Sequence, residues 1–535
     1  MNRPKFYVYL PIIFALVLVL GIFIGTTFLS GGQKTVMGGN TGKFSKLQDV
    51  LQYINQEYVD TVNDDDLVER SIVSLLENLD PHSSYISAEE LQANNEPLQG
   101  NFEGIGVEFN IVDDTVRVVA AIPGGPAEGV GVQAGDKIVM VDGKTIAGIK
   151  IANKGVMERL KGKGGTKVKI SVKRNGRKGL IDFTITRGTI PIYSLDASYM
   201  LTANLGYIKI SRFAATTYDE FMQALDKLQK QGMTKLVVDL RGNGGGFLNT
   251  AVDIADEFLT EGKSIVYTQG KARPRKDFYA TKRGSFENGE LFILIDDGSA
   301  SASEILAGAV QDNDRGTLIG RRSFGKGLVQ EQSEFTDGSA IRLTIARYYT
   351  PTGRCIQKPY KHGVDDYYNE ELARYESGEL ESADSIKVAD SLKYKTPGGK
   401  IVYGGGGIIP DEFVPLDTAN RSLYLSELIY AGIINDFAFY YSDKERAKLK
   451  AYKNFENFNK SFNISASLLN ELADYGAKNG VKRNDKEMAI SKPWIETQLK
   501  GLISRNIWGI ENYYPVIQER DKVIKKAVEL SQKKK

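Results

Sequence analysis

Seven residues, Gly298-Ser299-Ala300-Ser301-Ala302-Ser303-Glu304, follow directly on an apolar run from Leu291 to Ile295 and lead into an Ala-rich stretch. A small-residue turn between a strand and a helix can expose a hydroxyl at the helix N-terminus. There, free N–H groups and the helix dipole favour developing negative charge. A serine so placed needs a base, and the chain has only two histidines, His82 and His362. Lys326, in Ser-Phe-Gly-Lys-Gly-Leu-Val-Gln, is the natural candidate, provided burial lowers its pKa enough to leave the amine neutral. Ser301-Ala302-Ser303-Glu304 also fits a helix capping box, and on its own that pattern is structural.

The joint arrangement closely resembles the C-terminal processing peptidases, or tail-specific proteases. Their signature is a small-Ser-Ala-Ser-Ala-Ser-Glu run, a spacer of helix-plus-strand length, then Thr/Ser-Phe-Gly-Lys-Gly-x-Val-Gln. The resemblance covers roughly residues 45 to 415. It implies Ser301 as nucleophile, Lys326 as general base and Gln330 as the residue that orients the lysine. If residues 326 to 330 form a strand, its alternation puts both side chains on one face. The Asp80-Pro81-His82-Ser83 run also occurs in the family, where lysine supplies the base. His82 is therefore the rival base rather than the expected one. The resemblance further implies an α/β, crotonase-like protease sheet with an inserted β-rich domain.

Balanced charge, +2 overall, excludes a nucleic-acid binder built on a basic stripe, and Lys533-Lys534-Lys535 reads as a solvated tail. A single cysteine, Cys355, excludes an intramolecular disulfide and a cysteine-based metal cluster. No metal or cofactor is expected. From Phe6 to Ser30 there are 25 residues without a charged side chain, long enough to cross a bilayer as a helix. Arg3 and Lys5 precede it and place the N-terminus in the cytoplasm. No cysteine follows Leu29-Ser30-Gly31-Gly32 and no Ala-x-Ala site closes the segment, so an uncleaved signal anchor is expected. Residues 1–30 would anchor the chain in the inner membrane by a single pass, 31–43 would tether it, and the rest would be periplasmic.

Residues 44–99 read as an N-terminal helical part, with helical periodicity from Phe44 to Asn78. Residues 100–188 are short strands and look like a PDZ domain. Gly104-Ile105-Gly106-Val107 matches the loop whose N–H groups capture a terminal carboxylate, and Ala134-Gly135-Asp136-Lys137-Ile138 with the Asp142-Gly143 turn supports the assignment. Residues 189–421 alternate strand and helix as a protease core. Asp239-Leu240-Arg241-Gly242-Asn243-Gly244-Gly245-Gly246 lacks the Gly-Lys-Ser/Thr ending of a phosphate loop. By the resemblance it contributes to an oxyanion hole, with Gly244 or Gly245 and Ala302 as backbone donors. Residues 358–400 depart from the family as a polar insertion, and 422–535 form a helical extension, read as helices over Leu425–Ile434, Lys444–Phe455 and Trp494–Ile507. Expected partners are polypeptides with exposed C-termini, the membrane, a second copy through the terminal helices and an adaptor protein. The rival to a peptidase is a catalytically silent PDZ scaffold that binds protein C-termini.

Overall fold

The computed structural model describes residues 15–20, 41–361 and 363–533. The expected membrane span therefore lies outside the described residues, apart from residues 15–20, which are helical with exposed side chains. Among the described residues, no helix is long and apolar enough to cross a membrane. The chain divides into two units, Met1–Ser74 and Leu75–Lys535. In the first, the stretch with helical periodicity from Phe44 to Asn78 holds two helices, α1 (Thr41–Glu57) and α2 (Asp64–Glu77, which runs on into the second unit). The break has a local cause. Asn63 Oδ1 accepts from the Asp65 N–H (3.1 Å), and Asp64, Asp65 and Asp66 favour a new N-terminus at that point.

In the second unit, β1 (Ser84–Ile86) and α3 (Ala88–Gln99) lead to β2 (Asn101–Gly104). The inserted β-rich domain comprises β3 (Val107–Val112), β4 (Thr115–Ala121), β5 (Lys137–Val141), α4 (Asn153–Leu160), β6 (Lys167–Lys173) and β7 (Ile181–Thr186). Its strands pair in the order β3-β4-β5-β6-β7, antiparallel throughout. The chain leaves along β8 (Gly188–Pro191), which pairs antiparallel with β2, Asn101 opposite Pro191 and Gly104 opposite Gly188. Entry and exit thus share one two-stranded stalk. Val116, Val118, Ile138, Ile170 and Ile185 fill this domain's own core.

The following elements are β9 (Leu195–Met200), β10 (Leu205–Ile210), α5 (Thr217–Lys230), β11 (Lys235–Asp239), α6 (Leu248–Asp256), β12 (Ser264–Gln269), β13 (Lys276–Tyr279), β14 (Glu290–Ile295), α7 (Ala302–Asp312) and β15 (Thr317–Gly320). Then come β16 (Leu328–Glu334), β17 (Ala340–Tyr349), α8 (Val364–Glu376) and β18 (Glu412–Phe413). A six-stranded sheet runs β9-β10-β11-β14-β15-β18, parallel except for β9. Every residue of β10 is buried, as a strand covered on both faces requires. One face packs against α5, α6 and α7; the other meets α12 (Lys522–Gln532) through Val523, Ile524 and Ala527. In a second, antiparallel sheet β17 pairs with β1, β12 and β16.

The extension contains α9 (Leu423–Tyr430), α10 (Ile433–Lys444) and α11 (Asp485–Trp508) around a separate apolar core. Two of its expected helices are interrupted. Gly432, at φ 69°, separates α9 from α10. Lys453 at φ 72° and the Asn454 cap on Asn457 end the expected Lys444–Phe455 helix early.

Candidate active site

Three loops meet at the C-terminal edge of the parallel strands, where open α/β sheets place their sites. They follow β11, β14 and β15 and carry the glycine run 242–246, Ser301 and Lys326. Ser301 sits at φ 56°, ψ −114°, immediately before α7. A non-glycine residue in this region is strained, and a sharp strand-to-helix turn is one way to push a hydroxyl out of the backbone.

Glu304 ties the Ser301 turn to the Lys326 loop. Its carboxylate accepts from the N–H groups of Ser301 (2.9 Å), Gly325 (2.8 Å) and Lys326 (2.8 Å), and from Ser323 Oγ (2.5 Å). Burial raises its pKa, and these four donors pull against that rise. Tyr348, also buried, reaches the carbonyl oxygens of Ser301 (3.1 Å) and Lys326 (2.7 Å) through its hydroxyl. The sequence pattern offered Glu304 only as a cap and did not single out Tyr348, which stands 47 residues from Ser301 on β17.

The Lys326 amine donates to Gln330 Oε1 at 3.0 Å. Strand alternation is not the reason they meet. Lys326 precedes β16, which starts at Leu328, and the register shifts between Val329 and Gln330. Burial lowers the Lys326 pKa, the Arg342 charge lowers it further, and Asp80 and Glu304 oppose both. Ser301, Lys326, Gln330, Gly244, Leu248 and Ile305 all line one cleft of 630 Å³.

Asn243 fastens the glycine loop to the Ser301 turn. Its carbonyl accepts from Ala300 N–H (3.0 Å) and Ser303 Oγ (2.8 Å), and its side chain bonds Ile210 O and Gly245 N–H. Gly245 N–H is thus already donated to Asn243 Oδ1 (2.9 Å), which leaves Gly244 as the better placed of the two expected loop donors. Ala302 is the first residue of α7, where an N–H has no partner within the helix. A Cβ on Gly245 would stand 2.7 Å from Ser301 Cβ, so this position has room only for glycine. Ahead of the loop, buried Asp239 pairs with Arg241 (2.6 Å) and Lys209 (3.5 Å). Burial raises its pKa, but those two cations outweigh it and the net shift is downward.

His82 reaches the site through its backbone. Its carbonyl accepts from Gln330 Nε2, while its ring Nε2 is held by Tyr367 Oη at 2.8 Å. Burial and the nearby Lys326 charge lower its pKa to about 4, against the pull of Asp80. His362 lies outside the described residues. In the β-rich domain, Gly104 closes β2, Ile105 is buried in the core, Gly106 takes φ 75° and Val107 opens β3, whose other edge pairs with no strand of its sheet. Among the described residues no group of acidic, histidine or cysteine side chains could hold a metal ion.

A strained serine turn, a half-buried lysine and a glycine loop at one sheet edge, with a PDZ-type domain inserted ahead of them, define a serine-type peptidase. The chain matches peptidase family S41 over residues 204–367, a PDZ domain over 104–185 and the N-terminal domain of the activating protease CtpB over 29–90. Residues 424–509 match a family of unknown function. The chain is 34% identical over 397 residues to the carboxy-terminal processing protease CtpA of Bacillus subtilis, covering 71% of this chain and 84% of that one. It is 35% identical to the carboxy-terminal-processing protease of Bartonella bacilliformis, covering 63% and 79%. Among solved structures, the photosystem II D1 C-terminal processing protease is 31% identical over 57% of this chain and 82% of that chain, with a TM-score of 0.32. The chain belongs to the C-terminal processing peptidases of family S41.

Proposed function

We propose that the protein cleaves extracytoplasmic polypeptides at or near their C-termini by a Ser301–Lys326 dyad on a crotonase-like sheet. The carrying observation is the half-buried Lys326 amine, held by Gln330 in the same cleft as the strained Ser301. Neutral Lys326 takes the Ser301 proton as the oxygen attacks the substrate carbonyl. The tetrahedral oxyanion is received by backbone N–H groups, with Ala302 and Gly244 as the donors. Protonated Lys326 then gives its proton to the leaving amine, and water releases the acyl group from Ser301. A base useful near neutral pH needs a pKa of roughly 7 to 8, about 3 units below that of free lysine, which corresponds to about 4 kcal/mol of differential desolvation. The direction of the Lys326 shift supports this.

The unpaired edge of β3 beside the Gly104–Val107 loop suits capture of a peptide terminus as an added strand. The charge-free segment from Phe6 to Ser30 supports a membrane tether with the catalytic part in the periplasm. A second copy and an adaptor remain proposed partners on the sequence reading alone. Matched peptides with free and amidated C-termini test the recognition step. The free peptides should be cut faster; equal rates remove tail recognition, and no cleavage of either favours the silent scaffold. For topology, protease added to spheroplasts should degrade the catalytic part, and its protection would reverse the orientation.

A further inference from the structure

The polar insertion at residues 358–400, opaque in sequence, packs onto the site. From α8, Arg374 donates to the carbonyl oxygens of Ser323 (2.8 Å) and Phe324 (3.2 Å), in the loop that carries Lys326. Tyr367, buried on the same helix, meets the Phe324 ring edge-on, and the Lys358 amine lies 4.1 Å from both ring centres. Its neighbour Tyr368 donates to Pro81 O (3.1 Å). The insertion thus grips the lysine loop and the 80–83 turn together.

That turn is otherwise held from within and by β17. Asp80 accepts from the N–H groups of His82 and Ser83 (both 2.9 Å) and from Thr344 Oγ1 (3.0 Å). What the turn presents to the site is the His82 carbonyl, the acceptor for Gln330 Nε2. An amide whose N–H₂ end is fixed must point its oxygen the other way, at the Lys326 amine. The remaining hold on His82 is its ring, bonded to Tyr367 Oη and meeting that ring edge-on at 5.2 Å. Gln357 Nε2 also donates weakly to the same hydroxyl (3.4 Å).

We propose that Tyr367 is a positioning residue of the site. Through the His82 ring it fixes the turn whose carbonyl orients Gln330, and through Gln330 the amine of Lys326. The proposal rests on the Ser301–Lys326 reading and extends it to a helix of the insertion and to a histidine that is not the base.

The readout is the rate at which a serine-directed fluorophosphonate labels Ser301 in the full-length protein, followed by mass spectrometry. Tyr367→Phe keeps the ring packing and removes the hydrogen bond to His82, along with the weak one from Gln357; loss of the His82 bond corresponds to a loss of about three- to tenfold in maximal labelling rate. The probe's half-saturating concentration should not change. His82→Ala should lose as much, and the double variant no more than the slower single one. In a Gln330→Ala background, Tyr367→Phe should have no further effect. Wild-type labelling in Tyr367→Phe overturns the proposal. So does a full additional loss in the Gln330→Ala background, which would route Tyr367 through Gln357 and Gly327 instead. Should Tyr367→Phe fail to fold, His82→Ala alone and with Gln330→Ala gives the same test. Lys326→Ala labelled at the wild-type rate removes the dyad reading and this proposal together. An unlabelled Lys326→Ala beside an unaffected Tyr367→Phe removes this proposal only.

Discussion

In the proposed dyad Lys326 acts as a neutral amine, and its surroundings favour that form. Burial and the Arg342 charge both favour proton loss. Because its pKa is lowered, the neutral fraction, and with it kcat/KM, should rise with pH through a limb below the ordinary lysine value of about 10.4. A flat profile between pH 6 and 9 would count against lysine as the base. Lys326→Arg should lose at least about 100-fold, since a guanidinium stays protonated and cannot accept the serine proton. His82 gives a stability signature instead. Its folded-state pKa of about 4 lies below the ordinary 6.5, so below pH 6.5 the unfolded chain binds the extra proton and stability falls until pH 4. The linked loss is on the order of 3 kcal/mol, and His82→Gln should flatten the melting temperature across that window. An unchanged pH slope in His82→Gln would refute the assignment.

At the scale of elements, the glycine loop is shaped by contact rather than composition. Gly245 holds φ 102°, and a methyl group there would fall 2.8 Å from Ala300 O as well as against Ser301. Gly245→Ala should therefore displace the loop from Ser301 and, on the proposed mechanism, reduce kcat by about 100-fold or more. A kcat within about threefold of wild type would show that the loop does not serve the reaction. Sequence revealed most of this edge, because Ser301, Lys326 and the glycine run each stand in short stretches whose residue types are dictated locally. The parts it hid depend on distant chain. The Lys326–Gln330 contact joins a loop residue to a strand residue, because the strand starts only at Leu328, so alternation along one strand does not account for it. The insertion's grip on His82 joins residues 285 positions apart, a distance over which no periodicity speaks. Gly432 and Lys453 broke expected helices because a single left-handed residue outweighs an apolar pattern.

Over the whole molecule, the helical extension links the inserted PDZ domain to the protease core. Phe439 of α10 is buried against Val112 and Val119 of the PDZ strands, and Arg505 of α11 pairs with Glu108 at 2.5 Å. Farther on, Asp521 at the start of α12 meets Arg241 (2.8 Å), next to the glycine loop. Phe439→Ala should cost about 3 kcal/mol of packing and raise amide exchange in β3 and β4 while the β10–β11 core stays protected. Exchange unchanged in the PDZ strands would show that the extension does not hold that domain. The central claim is that one lysine, not a histidine, activates Ser301. Turnover of an unstructured polypeptide by folded Lys326→Ala, measured beside Ser301→Ala and His82→Ala, tests it most directly. The account predicts no turnover by the first two and substantial activity, within about tenfold of wild type, in His82→Ala. Wild-type turnover by a correctly folded Lys326→Ala would contradict it.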